Sequence, residues 1–61
     1  MINLERRKKI LEILEKETKI STTELEDRLQ VTGATIRSDL REMEREGAII
    51  RFHGGCSIAD Q

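Results

Sequence analysis

Three arginines, Arg37, Arg41 and Arg45, recur at intervals of four residues in the second half of the chain. At about 100° per residue, a helix would place them on one face together with Ala34 and Ser38. Guanidinium groups bind phosphates and guanine edges, while small side chains let a helix backbone approach a surface closely. These residue types at this spacing predict a helix that enters the major groove of duplex DNA.

The same stretch carries helix boundary signals and an apolar stripe. Thr32 is expected to cap the first turn, and Gly47 is expected to end the helix with a positive φ. Ile36, Leu40 and Met43 lie at i, i+4 and i+7, which predicts a face turned toward a core.

The acidic residues of this helix are predicted to lie on its flanks, with Asp39, Glu42 and Glu46 along one side and Glu44 on the other. A charged face of this kind is also typical of any solvated helix that is stabilised by i,i+4 pairs. Charge patterning alone therefore leaves DNA binding and simple solvation open.

Length and composition limit the possible functions. Sixty-one residues form at most one domain, and a chain this short buries only about 60% of its unfolded surface. Phe52 is the only aromatic residue, which argues against stacking on single-stranded nucleic acid or RNA loops. The net charge of −1 also counts against a nucleic-acid binder, although phosphate contacts involve one face only.

The single cysteine, Cys56, excludes an internal disulfide and a cysteine-based zinc site. We expect no signal peptide and no membrane span, and a reducing cytoplasm as the compartment. The basic run at residues 6–9 raises the alternative of a membrane-surface helix, but Glu5 and Glu12 flank it and weaken that interpretation.

A first helix is predicted from an N-cap at Asn3 to about Glu17. Its apolar residues form a broad arc, and Arg6, Lys8 and Lys9 are expected to face mainly outward, either solvated or near phosphates. The members of the arc are Leu4, Ile10, Leu11, Ile13 and Leu14.

Residues 20–39 carry the pattern of a helix-turn-helix. Lys19 and Ile20 are predicted to form a very short strand, and Ser21 with Glu24 matches a capping box for a helix over about 22–29 or 22–30. A turn of three or four residues, with Val31 at the corner, leads to the arginine-bearing helix. The alternative is an ordinary αα-hairpin in a small bundle.

A two-stranded hairpin is predicted after Gly47. Residues 48–52 are apolar and β-branched, residues 53–55 (His-Gly-Gly) predict a turn, and residues 56–59 predict the returning strand. A hairpin after a helix-turn-helix makes a winged helix, in which Arg51 and His53 would touch phosphates or the adjacent minor groove.

Two functions outside DNA binding need consideration. His53 and Cys56 are a possible base and nucleophile, but nothing orients the histidine and a domain of this size leaves no room for a substrate pocket. The stronger alternative is a winged helix that contacts another protein, which the near-neutral charge permits. That alternative predicts no retention on duplex DNA at low salt.

Two motifs resemble those of the DeoR-type helix-turn-helix domain of bacterial transcriptional regulators. Residues 35–40 (T-I-R-S-D-L) are similar to the family's T-I-R-R-D-L, and residues 51–56 (R-F-H-G-G-C) to its R-x-H-G-G-A. The chain departs from the pattern at Ser38, where a second arginine is frequent, and at Cys56, where alanine is common. Cys56 is expected to be a small, partly buried wing residue.

The resemblance implies a mainly α winged helix-turn-helix, with three helices followed by a two-stranded β wing. It implies one DNA-binding domain over residues 3–58, with the helix-turn-helix at about 20–39 and the wing at about 48–59. The partner would be a double-stranded DNA operator, bound to regulate, and usually to repress, carbohydrate or nucleoside catabolism genes.

The resemblance also implies that the chain itself needs no cofactor, since a phosphorylated sugar effector would bind a C-terminal domain absent here. The full-length protein is expected to be a homo-oligomer and the isolated domain a monomer, with no membrane partner.

We predict no catalytic residue and no metal ligand. The expected DNA contacts lie on the arginine-bearing helix and on the wing. Bases would be read by Ala34, Thr35, Arg37 and Ser38, and phosphates bound by Arg41 and Arg45. The full predicted DNA-binding set is Thr32, Gly33, Ala34, Thr35, Arg37, Ser38, Arg41, Arg45, Arg51, His53 and Gly54. The predicted helix caps are Asn3, Ser21, Glu24, Thr32 and Gly47.

Overall fold

The computed structural model of the chain describes residues 3–59. It contains three helices and three strands, in the order helix, strand, two helices, two strands. These are α1 (Asn3–Glu17), β1 (Lys19–Ser21), α2 (Thr22–Leu29), α3 (Gly33–Arg45), β2 (Ile49–Phe52) and β3 (Gly55–Ile58). The predicted mainly α winged helix-turn-helix is confirmed.

The sheet has one strand more than the predicted wing. It is antiparallel, with the order β1-β3-β2, and Ile20 of β1 lies opposite Cys56 of β3. The short strand at Lys19 and Ile20 is confirmed, and it pairs with the hairpin. Pairing with β1 satisfies backbone groups that β3 would otherwise expose at the edge of a two-stranded wing.

The wing turn is shorter than predicted, since Gly55 belongs to β3 and only His53 and Gly54 form the turn. Gly54 has a φ of +88°, a conformation that glycine adopts without steric cost. Gly55 is needed for a different reason, because a Cβ atom there would lie 2.5 Å from the carbonyl oxygen of Ile20.

A single aliphatic core lies between the three helices and the sheet. Its fully buried members are Ile10, Leu14, Leu25, Ile36, Leu40, Met43 and Cys56. Leu4, a member of the predicted apolar arc of α1, does not pack in this core, since it is 71% exposed. It lies in the first turn of α1, more than one turn before Ile10, the first buried residue of the helix. The prediction of a partly buried Cys56 is wrong, since the residue is fully buried beneath the sheet.

Side-chain and backbone caps define both helices of the helix-turn-helix. The hydroxyl oxygen of Ser21 accepts a hydrogen bond from the backbone N–H of Glu24, at 3.1 Å, and begins α2. Gln30 ends α2 in the left-handed conformation, with a φ of 57°. Asn3 is the first residue of α1, and the residue before it lies outside the described range, so its capping role stays a prediction.

The ends of α3 have well-defined geometry. Thr32 begins the helix, and its hydroxyl oxygen accepts a hydrogen bond from the backbone N–H of Thr35 at 3.3 Å. At the other end, Gly47 has a φ of +80° and donates its N–H to the Glu44 carbonyl. The next N–H, of Ala48, is donated to the carbonyl of Met43, three residues before the C-cap. These two bonds form a Schellman motif that stops the helix at a fixed residue.

Candidate nucleic-acid interface

Helix α3 presents one polar face to solvent, which we call the arginine face. It consists of Ala34, Arg37, Ser38, Arg41 and Arg45, and all five residues are exposed. The opposite stripe of α3 is buried in the core. The local sequence explains this orientation, since the aliphatic residues recur at helical spacing and face the core.

Charge is distributed unevenly along the arginine face. Arg45 lies 3.5 Å from the carboxylate of Glu42, and its side chain remains 70% exposed. Among the ion pairs formed within residues 3–59, none includes Arg37 or Arg41. Two guanidinium groups of the face, Arg37 in the second turn of α3 and Arg41 one turn further on, are therefore exposed outside the ion pairs of the described residues.

Glycine at position 33 gives one of these guanidinium groups room. A Cβ atom on Gly33 would lie 3.1 Å from Nη1 of Arg37 and 2.9 Å from a carboxylate oxygen of Glu26. The Arg37 side chain thus extends back along the first turn of α3 toward α2. A larger residue at position 33 would displace the Arg37 guanidinium from this place.

The wing is attached to both helices of the helix-turn-helix. The carbonyl oxygen of Gly54 accepts hydrogen bonds from the backbone N–H of Thr22, at 2.9 Å, and from its hydroxyl, at 3.3 Å. Arg51 lies 3.8 Å from the carboxylate of Glu44 on α3, with 32% of its side chain exposed. His53 is exposed at the turn. The wing is therefore a short hairpin held close to the helices.

A buried ion pair connects α3 to α1. Nε and Nη2 of Arg6 donate to Oδ2 and Oδ1 of Asp39, at 2.5 and 3.0 Å. Asp39 is only 2% exposed, and its hydrogen bond raises the pKa of the Arg6 guanidinium above its ordinary value. The prediction of an outward-facing Arg6 is wrong, and Asp39, predicted on one flank of α3 with Glu42 and Glu46, is buried there.

The sequence did contain a signal for this pair. Asp39 lies three residues after Ile36 and four before Met43, so helical spacing places it beside the buried stripe. A carboxylate at such a position needs a cationic partner, because burial of an unpaired charge is costly. That partner, Arg6, is 33 residues away in the chain.

A second ion-pair cluster joins α1 to α2 around Arg28. Its guanidinium donates to Glu17 at 2.5 and 3.0 Å and to Glu24 at 2.5 Å. The hydrogen bond from Arg28 lowers the pKa of the Glu17 carboxyl, and both carboxylates raise the pKa of Arg28. The Glu24 carboxylate therefore accepts a hydrogen bond from Arg28. A second bond to this carboxylate, from the backbone N–H of Ser21 as in a capping box, stays a prediction.

The His53 and Cys56 pair lacks the geometry of a catalytic site. Cys56 is fully buried, and this burial raises the pKa of its thiol, whereas His53 is exposed at the wing turn. Within the described part of the chain, no group of three or more His, Cys, Asp or Glu side chains is arranged to hold a metal ion. Among residues 3–59, each helix is too short or too polar to cross a membrane.

Three helices, a short wing and an exposed arginine face on the second helix of a helix-turn-helix define a winged helix-turn-helix of the nucleic-acid-binding class. The sequence profile of the DeoR-like helix-turn-helix domain matches residues 6–61. The chain belongs to this family.

Several curated proteins with similar sequences are transcriptional regulators. The chain is 44% identical to the HTH-type transcriptional regulator YgbI of Escherichia coli (strain K12), over 90% of this chain and 22% of that protein. It is 41% identical to the lactose phosphotransferase system repressor of Streptococcus mutans serotype c, over 85% of this chain and 21% of that protein. It is 34% identical to the glycerol-3-phosphate regulon repressor of E. coli (strain K12), over 95% of this chain and 23% of that protein.

The chain therefore spans about a fifth to a quarter of the length of these three relatives. No solved structure matches the chain.

Proposed function

We propose that residues 3–58 form the sequence-specific DNA-binding domain of a bacterial transcriptional regulator. In this proposal α3 docks in the major groove of duplex DNA and the wing lies against the flanking backbone. The observation that carries the proposal is the exposed arginine face, on which Arg37 and Arg41 belong to no ion pair within residues 3–59. Family membership supports it independently.

The geometry supports a division of roles along α3. Ala34, Thr35, Arg37 and Ser38 belong to the first two turns, where short side chains permit close approach to base edges. Arg41 and Arg45 lie further along the same face and bind phosphates, which fixes the register of the protein on the duplex.

Backbone groups and the wing supply further phosphate contacts. The N-terminus of α3, at Thr32 and Gly33, donates backbone N–H groups to a phosphate. Arg51, His53 and Gly54 place the wing near the adjacent backbone, and Arg51 must loosen its contact with Glu44 to take part.

The regulator as a whole is proposed to repress genes of carbohydrate or nucleoside catabolism from the cytoplasm. The names of two relatives, a lactose phosphotransferase system repressor and a glycerol-3-phosphate regulon repressor, support this. We also propose that a phosphorylated sugar binds a separate C-terminal domain. That domain would join copies of the protein into a homo-oligomer, and the 61-residue domain would itself be monomeric.

The first test is a titration of the isotope-labelled 61-residue domain with mixed-sequence duplex DNA at two salt concentrations. Amide shifts are expected at residues 32–41 and 51–55, and they should weaken as salt rises because phosphate contacts release counterions. If shifts are absent at low salt, the domain should be tethered covalently as a pair and titrated again. Continued absence contradicts the proposal and favours a winged helix that contacts protein.

A pair of variants tests the division of roles on a site selected by the wild-type domain from a random library. Arg37→Ala should cost about 1–3 kcal/mol on the selected site and less on random DNA, as expected for a bidentate base contact. Arg45→Ala should weaken binding to both DNAs alike. Equal losses on both DNAs for both variants would refute the assignment of Arg37 to base reading.

A further inference from the structure

Two adjacent arginines of α1 contact α3 in very different ways. Arg6 makes a two-point contact with Asp39, whose side chain is 3% exposed. Arg7, whose own side chain is 18% exposed, makes one contact of 3.4 Å with Glu46 at the C-cap of α3, whose side chain is 59% exposed. The two carboxylates lie seven residues apart, about two turns of α3, so α1 is tied to α3 at one buried and one exposed point.

Only the buried contact restricts the rotation of α3 about its own axis. The planar guanidinium fork of Arg6 meets the Asp39 carboxylate through two parallel hydrogen bonds, an arrangement that depends on angle as well as distance. Apart from the exposed contact of Arg7 with Glu46, α1 and α3 both contribute aliphatic side chains to the core, and hydrophobic attraction is non-directional. A rotation of α3 about its own axis would change aliphatic packing gradually but would break the fork.

The fork lies at the C-terminal end of the part of α3 that is proposed to read bases. Asp39 follows Ser38 in the chain and lies two residues after Arg37. Base-edge contacts need side chains held within about 0.5 Å and 10–20° of the productive geometry, whereas a phosphate contact made by a flexible arginine is more tolerant. An element that fixes the rotation of α3 therefore affects base reading more than phosphate binding.

We propose that Arg6 and Asp39 are positioning residues for the recognition helix. Their ion pair fixes the rotation of α3 relative to α1, and thereby sets discrimination between DNA sequences and not affinity for DNA in general. The inference rests on the proposed function. Stability alone is a poor account of the pair, because replacing a buried ion pair with apolar residues of similar size is often neutral or stabilising.

Because apolar residues can often replace a buried ion pair without loss of stability, the role of the pair can be tested in a folded variant. The double variant Arg6→Met/Asp39→Leu removes the fork, fills the space with apolar side chains and leaves the net charge unchanged. The matched control Arg7→Met/Glu46→Gln removes the exposed contact between the same two helices and also leaves the net charge unchanged. Differences between the two variants therefore report the fork and not the overall electrostatic attraction to DNA.

The measurements are the urea midpoint, the affinity for the wild-type-selected site and the affinity for random duplex. Arg6→Met/Asp39→Leu should keep its urea midpoint and its affinity for random DNA, and should lose about tenfold in discrimination, the size of one good base contact. The control should match the wild type in all three measurements. Wild-type discrimination in a folded Arg6→Met/Asp39→Leu variant would overturn the inference.

Arg6→Lys provides a second variant in case the apolar pair does not fold. It retains the positive charge but cannot form a planar two-point contact, so it should also lose discrimination. Wild-type discrimination by Arg6→Lys would overturn the inference as well.

The orientation of α3 is a readout that needs no DNA. Amide residual dipolar couplings of the free domain should show α3 rotated relative to α1 in Arg6→Met/Asp39→Leu and not in the control. An unchanged α3 orientation overturns the inference, whether or not DNA is bound. If the wild-type domain selects no sequence from the library, it is the proposed function that fails, and the couplings still decide whether the pair positions α3.

Discussion

Helix α3 and the wing differ in the exposure and ion pairing of their basic side chains. On α3, Arg37 and Arg41 are exposed and belong to no ion pair among residues 3–59. On the wing, Arg51 is partly covered and lies against Glu44, and the turn is bonded to Thr22. Two of the three arginines on the arginine face of α3 are therefore available to a ligand without breaking an ion pair, whereas Arg45 and the wing residue Arg51 each lie near a glutamate.

The comparison indicates that the two elements divide binding unequally. Side chains that must meet base edges gain from being free of internal partners, because no interaction has to be broken on binding. The wing, whose basic group is already paired, is better suited to a supporting contact with the backbone. Four predictions test this difference.

The largest expected effect is on stability, from the core beneath each element. Leu40 supports α3 and Cys56 supports the wing, and both are fully buried. Leu40→Ala should lower the free energy of unfolding by about 2–5 kcal/mol, enough to unfold much of a domain this small. Cys56→Ala should cost about 1 kcal/mol, since it removes a single heavy atom. Urea denaturation followed by circular dichroism measures both, and equal losses would contradict the difference.

The next prediction concerns the attachment of the wing to β1. Gly55→Ala brings a methyl group to 2.5 Å from the Ile20 carbonyl oxygen, so the strands must separate. A cost of about 3 kcal/mol is expected, at the upper end of overpacking. Gly54→Ala meets no atom within 4 Å and is strained only by its φ of +88°, which should cost about 1–2 kcal/mol.

Amide hydrogen exchange separates these two glycines. Gly55→Ala should speed exchange along β1 and β3 while α3 stays protected, because the clash lies in the sheet. Uniform loss of protection would mean that the wing and α3 unfold as one unit.

A smaller effect is expected on DNA affinity. Arg41→Ala should reduce the slope of log affinity against log salt by about 1, as for one lost phosphate contact. Arg51→Ala should reduce it less, because Glu44 already compensates this guanidinium. Glu44→Gln is the informative partner variant, since it frees Arg51 and should strengthen binding to all sequences. A larger slope change for Arg51→Ala than for Arg41→Ala would reverse the proposed division.

The smallest expected effect is a pH dependence of the wing. Burial raises the pKa of the Cys56 thiol above its ordinary value of 9.0, so the folded protein binds the thiol proton more tightly than the unfolded chain. The stability from this group is therefore complete below pH 9 and is lost as the pH rises through the folded-state pKa. Urea midpoints at pH 8 and 10 should differ less in Cys56→Ala than in the wild type.

Alkylation gives an independent check of the thiol. At pH 9, iodoacetamide should modify Cys56 slowly in the folded domain and rapidly in urea, because burial limits both access and thiolate formation. Equal rates in the two conditions would show that the wing opens readily.

Sequence reasoning reached most of the fold because its signals are local. Capping residues, the aliphatic stripe of α3 and the positive φ of Gly47 act within a few residues of one another, so their spacing predicts them. The exposed arginine face follows from the same periodicity. The differences at Leu4 and at Gly55 arose because burial and close strand approach depend on neighbouring elements.

The sequence by itself determined the three helices, the hairpin and the face of α3 that carries the arginines, since helical periodicity and turn chemistry are properties of neighbouring residues. The tertiary structure alone decided how these parts are held together. The partners of Asp39 and Gly54 are 33 and 32 residues away in the chain. Such pairings depend on how the elements pack, and no local pattern encodes the distance between two helices or two strands.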